Sequence, residues 1–262
     1  MGGPRAYSKS DCARLTPWAV GVLIALIMKA TFSVILTWAF STSLFAQTTT
    51  TSNSVAMPSA PPPALPASET LKRMVPLFDG KTLHGWECDT NVWSVRDGAL
   101  HGTGKYGQVF TKDDYANFRL LVTARVVTPE INTGNGHLGV LFWGDRPAAG
   151  TWGTAGALQV QPPHGAMWDY RINKNVNPVR VVPKQGLLYH DWHTSEILAN
   201  LRTGAVRMAV DGLEIIQYRH PNPVLLKKGP IGMQLHSAAS VVEYRDIRIE
   251  EDPKEDKLIT VK

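Results

Sequence analysis

From residue 71 to residue 251 no stretch holds apolar residues at helical spacing for long; alternation dominates instead. Phe118, Leu120, Val122, Ala124 and Val126 share one face of an extended run, and Ile247 and Ile249 alternate with outward Arg248 and Glu250. This is the period of a strand, whose successive side chains point to opposite sides. Asp97-Gly98 lies between Val92–Arg96 and Ala99–His101, and Asp211-Gly212 between Ala205–Val210 and Leu213–Tyr218. Both pairs predict type I′ hairpins, because Gly and Asp tolerate the positive φ that turn demands. Further strands are expected at His137–Trp143, Ala157–Gln161, Trp192–Ala199 and Ile231–His236. Many short antiparallel strands with no βαβ pattern predict an all-β sandwich or jelly roll.

Outside this unit the pattern changes. Residues 47–70 are Thr, Ser, Pro and Ala with almost no core formers, which predicts an extended linker. The charged tail 252–262 is expected to be flexible. Residues 1–46 form an apolar leader. A membrane anchor over Trp18–Phe40 would carry Lys29 near its centre, at a cost of about 2.5–3.5 kcal/mol. A reading that starts at Met28 avoids this: Lys29 supplies a basic start, Thr31–Phe40 an apolar stretch, and Ala46 a small residue before Gln47. That is the build of a secretory signal peptide and predicts a periplasmic or secreted protein with no stable membrane span after cleavage. Met1 and Met28 both stand as candidate starts.

Composition narrows the function. The chain has 262 residues, 44% hydrophobic and 19% charged, which suits a folded protein. Its net charge is +5, but Arg5, Lys9, Arg14 and Lys29 against Asp11 place most of that in the leader, leaving only +2 for the rest. No nucleic-acid partner is implied, since that needs a basic patch on the folded domain. Of the two cysteines, Cys12 and Cys88, only Cys88 lies beyond the leader. Neither an intrachain disulfide nor a cysteine zinc site is available there. Nucleophile-elbow, Walker, HExxH, EF-hand and paired-carboxylate glucanase patterns are all missing from the sequence.

Three predicted strands share a polar face. Leu158 and Val160 oppose Gln159 and Gln161; Ile231, Met233 and Leu235 oppose Gly232, Gln234 and His236; Leu138, Val140 and Phe142 oppose His137, Gly139 and Trp143. An ordinary solvated sheet face would look the same. A saccharide site would use it differently, with amides bonding hydroxyls and an indole stacking on a pyranose. The loop after Gln161 adds His164, Trp168, Asp169 and Tyr170, and a second loop adds Asp145 and Arg146. His101 is expected to join the same face. Glu243, beside Tyr244 and Arg245, reads as a structural salt-bridge partner.

Leu77-Phe78-Asp79-Gly80-Lys81-Thr82-Leu83-His84-Gly85-Trp86 and Trp93-Ser94-Val95-Arg96-Asp97-Gly98-Ala99-Leu100 follow one another near the start of the domain. Gly139–Gly144, Leu158–Gln161, Gly229–His236 and Tyr244–Ile249 come next in order. Together they resemble the 3-keto-disaccharide hydrolase domain family over about residues 74–250. The resemblance implies a concanavalin A-like jelly roll and action on 3-keto sugars. Two positions depart from the family pattern: Trp143 stands where members often carry Arg, and Gln159 where they often carry an acid.

The implied reaction removes the proton at C2, acidified by a ketone at C3, and expels the C1 substituent; water then adds back. On that reading His236 or His164 is the base or acid, with Asp169 beside them. Gln159, Gln161 and Gln234 bind hydroxyls, Arg146 or a metal ion stabilises the enolate, and Trp143 and Trp168 are stacking walls. No cofactor is predicted, although His137, His164, Asp169 and His236 are residues that could hold a divalent ion. Two functions remain open: a 3-keto-glycoside hydrolase, and a non-catalytic carbohydrate-binding module on a Pro/Thr tether. The amide at Gln159 favours the second; the histidines favour the first.

Overall fold

A computed structural model describes residues 68–128, 137–148, 151, 153–154, 156–176, 178–180 and 190–261. The expected leader and most of the linker lie outside these residues. A short helix, α1 (Glu69–Arg73), is capped by the Ser68 hydroxyl, which accepts from Leu71 N–H. The strands follow in order: β1 (Val75–Pro76), β2 (Trp86–Cys88), β3 (Trp93–Arg96), β4 (Ala99–Gly102), β5 (Gly107–Tyr115), β6 (Phe118–Val126), β7 (Leu138–Phe142), β8 (Leu158–Gln161), β9 (Ala166–Asp169), β10 (Lys174–Val176), β11 (Val179–Arg180), β12 (His193–Asn200), β13 (Ala205–Val210), β14 (Leu213–Arg219), β15 (Gly229–Leu235) and β16 (Val242–Glu251).

Among the described residues these strands form two antiparallel sheets. One runs β11-β14-β13-β12-β6-β16-β4-β3 with β1 added against β16; the other runs β10-β9-β8-β7-β15-β5-β2. One apolar core draws on both. Leu120, Val122, Ile197 and Met208 come from the first sheet, and Val140, Val160, Ile231 and Met233 from the second. The predicted all-β sandwich is the observed fold, and the alternating residues face the core as their period required.

The motifs that opened the domain are mainly folding devices. Asp79 accepts from the N–H groups of Lys81 and Thr82 and from the Thr82 hydroxyl, which holds its carboxyl down at about 2. Gly80 takes φ +74 in this turn. The Trp86 indole N–H closes the segment by donating to Leu77 O at 2.9 Å. In the first hairpin Asp97 and Gly98 take φ +49 and +78, and in the second Asp211 and Gly212 take +50 and +89, as type I′ turns require. In β16 the inward set changes from Val242 and Tyr244 to Ile247 and Ile249; an irregularity between Arg245 and Arg248, with Asp246 at φ +52, makes that change of phase.

Two expectations are corrected here. Trp143 does not continue the alternation of β7. Its φ is +59, so the backbone turns and the indole packs into the core with Phe142 and Phe118, fully buried, its N–H donating to Ala116 O at 2.6 Å. The C-terminal segment is not a free tail. Leu258 packs on Leu198 and Ala209, and Thr260 is buried. The segment lies over the outer face of the first sheet, where Arg119 donates to Lys257 O and Glu255 O. Glu196 accepts there from the backbone N–H groups of Ile259 and Thr260.

Candidate functional site

The outer face of the second sheet gathers the amides. The register puts Trp168 opposite Gln159, Gln159 opposite Leu141, Leu141 opposite Gly232, and Gly232 opposite Phe110. One step along, Gly139 lies opposite Gln234, and Gln234 opposite Gln108. The side chains of these rows leave the sheet on the side away from the core. Gly139 makes room for the glutamines: a Cβ there would meet Gln159 Nε2 at 2.4 Å and Gln234 Oε1 at 2.7 Å.

The amides form a directed chain. Gln161 Nε2 donates to Gln159 Oε1 at 2.8 Å and lies 3.0 Å from His137 Nε2. Gln159 Oε1 also accepts from the Tyr170 hydroxyl at 3.4 Å, and its Nε2 donates to Gln234 Oε1. Gln159 and Gln234 are fully buried, so each amide is held by its neighbours rather than by bulk solvent. At the end of the row the His137 and His236 rings lie 3.9 Å apart, with Tyr106 edge-on to His236 at 6.5 Å. Trp168 packs on Tyr170 at 6.0 Å. Beyond Gln159 the face turns apolar, because Phe110, Leu141 and Ala157 close into a small cluster with Tyr170.

The face is held from behind by Tyr244 of β16. Its hydroxyl crosses the core, donates to Gln234 O at 2.7 Å and accepts from Gly139 N–H at 3.2 Å. Burial pushes this phenol well above its ordinary range, so it stays a neutral clamp. Gly139→Ala is therefore a local probe. The new methyl displaces only side-chain ends, so Tm should stay within about 2–4 °C of wild type. Separation of Gln159 from Gln234 should weaken binding of the saccharide expected from the sequence about tenfold in calorimetry. Unchanged affinity would detach the amide chain from binding.

The other expected site residues lie elsewhere. Asp169 is on the core side of β9, opposite in sense to Trp168, where it is buried against His220 Nε2 and Arg171 Nε at 3.2 Å each. His101 belongs to the first sheet and pairs with Glu243 at 3.2 Å. Glu243 also binds Arg125, so it has the structural role expected of it. Arg146 is taken up by Glu87 and Asp114 and by the carbonyls of Thr111 and Lys112. Asp145 pairs with Lys227. His164 is exposed in the turn between β8 and β9. Among the described residues no group of three or more His, Cys, Asp or Glu side chains is placed to hold a metal ion, and Asp169 points away from the His137–His236 pair. Cys88 is half-buried, its thiol pushed up to about 11 by burial and by Asp89, so it is a weak nucleophile at neutral pH.

Sequence reasoning passed over Gln108 and Tyr106. Gln108 alternates with Val109 and Thr111 as Gln159 does with its neighbours, and that was the available signal. What sequence could not supply was the pairing of β5 with β15, which joins strands distant in the chain.

No curated protein matches this chain. Among solved structures, two candidate glycosyl hydrolases from Parabacteroides distasonis ATCC 8503 are similar in fold. One is 18% identical with a TM-score of 0.52, covering 72% of this chain and 99% of its own. The other is 20% identical with a TM-score of 0.50, covering 68% and 98%. Among the described residues no helix is long and apolar enough to cross a membrane. The sequence matches the 3-keto-alpha-glucoside-1,2-lyase-like domain over residues 73–250, most of the chain and nearly all of the sandwich. The chain belongs to the family of the 3-keto-alpha-glucoside-1,2-lyase-like domain.

Proposed function

We propose that the outer face of the second sheet cleaves 3-keto-glycosides by elimination and rehydration. The family makes this a carbohydrate-active or carbohydrate-binding protein, and the observation that carries the finer reading is the His137–His236 pair at the end of the amide row. His236 takes the C2 proton, and the C2–H electrons move toward the C3 ketone as an enolate. The enolate collapses, the C1–O bond breaks, and the departing oxygen takes a proton from an imidazolium. Water then adds to C1 of the enone while a proton returns to C2. Net, one glycosidic bond and one water become two hydroxyl products. Imidazole suits both directions because it exchanges protons near neutral pH. Gln161 orients hydroxyls, held in place by the buried Gln159 amide, and Trp168 with Tyr170 forms the apolar wall.

A second reading, a non-catalytic carbohydrate-binding module, has its own support. Among the described residues of β9, β8, β7 and β15, no carboxylate stands on this face; Gln159 occupies its centre. Incubation of the protein with nitrophenyl 3-keto-glucoside and with nitrophenyl glucoside separates the two. Release of nitrophenol from the keto sugar alone supports the enzyme. Saturable binding of either sugar without release overturns it in favour of the module. We also place the protein outside the cytoplasm, from the signal peptide read at Met28–Ala46; a mature chain beginning before residue 40 would contradict this.

A further inference from the structure

A cavity opens at the far end of β5, roughly 20 Å along that strand from Gln108. It lies between β5, the β1–β16 pair and the start of the C-terminal segment, and its volume is about 870 Å³. That is within the roughly 300–1,000 Å³ of small-ligand sites. Tyr115 lines it. The ring is set in the apolar core and the residue is only 5% exposed, yet its hydroxyl has no hydrogen-bond partner among the described residues. Burial pushes this phenol up to about 12, and Asp113, Glu251 and Asp114 add to the shift, so it stays a neutral O–H beside negative charge. A polar side chain buried this far almost always has a partner in a native protein. Here the hydroxyl is offered to the cavity.

The charge around that hydroxyl is unbalanced. Asp113, Glu251 and Glu255 line the cavity with no ion-pair partner among the described residues, whereas Glu250 is met by Arg73 and Arg119. Asp252, held by Asn117, adds a further carboxylate, and Lys254 offsets one of them. A cation is therefore drawn in and an anion repelled. Among the described residues no three of these carboxylates converge as metal ligands do, so the charge surrounds a space rather than an ion. Carboxylates only accept hydrogen bonds, while the phenol also donates one. Leu77 and Ile249 add an apolar wall. A ligand that meets every part of this lining carries a charged N–H group and hydroxyls for the carboxylates, an oxygen for the phenol and a C–H face for the wall. The geometry points to this cavity as a binding site for an amino sugar in its ammonium form. A polyamine would supply the charge and leave the phenol unmet. A neutral or N-acetylated sugar would meet the phenol and leave the carboxylates without a counter-ion. The site is separate from the outer face of the second sheet and does not rest on how that face is read.

Calorimetry on the full chain at low salt tests the assignment with three probes: the β-1,4-linked disaccharide of glucosamine, its N-acetylated form, and spermidine. The amino disaccharide should bind at least about tenfold more tightly than either of the others, and its affinity should fall as salt is raised. Tyr115→Phe keeps the core-packed ring and removes only the hydroxyl. Its Tm should stay within about 2 °C of wild type while affinity for the amino disaccharide falls roughly three- to tenfold. Asp113 and Glu251 are exposed, so Asp113→Asn with Glu251→Gln should fold normally. That double variant should bind the amino disaccharide at least about tenfold more weakly and lose the preference over the N-acetylated form. No binding of the amino disaccharide, or equal binding of its N-acetylated form by wild type, overturns the inference. Spermidine bound as tightly as the amino disaccharide makes the cavity a general cation trap and overturns the assignment to a sugar. Affinity unchanged in both Tyr115→Phe and the double variant moves the ligand to another surface and removes the cavity from its binding.

Discussion

Replacing Glu196 with alanine is expected to destabilise the protein by about 3–5 kcal/mol, a large share of the roughly 5–15 kcal/mol that holds a domain folded. The side chains of Glu196 and Arg119 are 0% and 1% exposed and form an ion pair beneath the C-terminal segment. Arg119 also donates to Glu250 at 3.0 Å and to two backbone carbonyls of that segment. Glu196 accepts from Ile259 N–H, Thr260 N–H and the Thr260 hydroxyl at 3.0, 2.8 and 2.7 Å. The alanine variant removes one of the two carboxylates that neutralise a buried guanidinium and leaves three donors unpaired, and an unmet buried group costs more than its bond contributes. Glu196→Gln keeps an acceptor and should lose less. Deletion of residues 254–262 should act in the same direction, because it uncovers the pair and the apolar surface around Leu198. Urea unfolding measures all three; an alanine variant with the wild-type midpoint would show that the segment does not contribute to the fold.

For His236→Ala the expected loss is in rate. A positioned acid–base group contributes roughly 10²–10⁴-fold, so kcat on a 3-keto-glucoside should fall by that factor. KM should change little, because the amides and the Trp168–Tyr170 wall remain. His236 is only partly buried at the end of its strand, so Tm should be nearly unchanged. His137→Ala tests the pair from the other side. The Gln161 amide holds His137 at 3.0 Å, and Gln161→Leu should lower kcat through His137 without removing either ring. A His236→Ala variant within twofold of wild type would pass the base to another group, and His164, exposed in the β8–β9 turn, is next in line.

Much of the fold was legible because its causes are local. Phe118–Val126 is a strand at the predicted residues, and both Asp-Gly pairs turn as predicted, since period and turn chemistry act within a few residues. The polar faces of β8 and β15 were legible for the same reason: alternation assigns Gln159, Gln161 and Gln234 to the side opposite Leu158, Val160 and Met233. Local rules failed where one backbone angle intervened. The φ of +59 at Trp143 ended the alternation and took the indole from the expected sugar wall into the core.

What remained was decided by partners distant in the chain. Sequence placed Arg119 and Glu250 on an outward face; only the returning C-terminal segment made that face an interior. Asp169 and His164 are close in sequence, yet the pleat turns Asp169 to the core side of β9. Arg146 looked available until β5 and β2 supplied its carboxylates. Gln108 joined the row of amides only when β15 placed Gln234 beside it. The sequence by itself thus determined the sandwich, its hairpins and which residues could line a saccharide site, because each follows from short-range periodicity. The tertiary structure alone decided which of those residues meet, because strand order in an antiparallel sheet joins segments far apart in the chain, and burial then assigns each polar group its partner or leaves it without one.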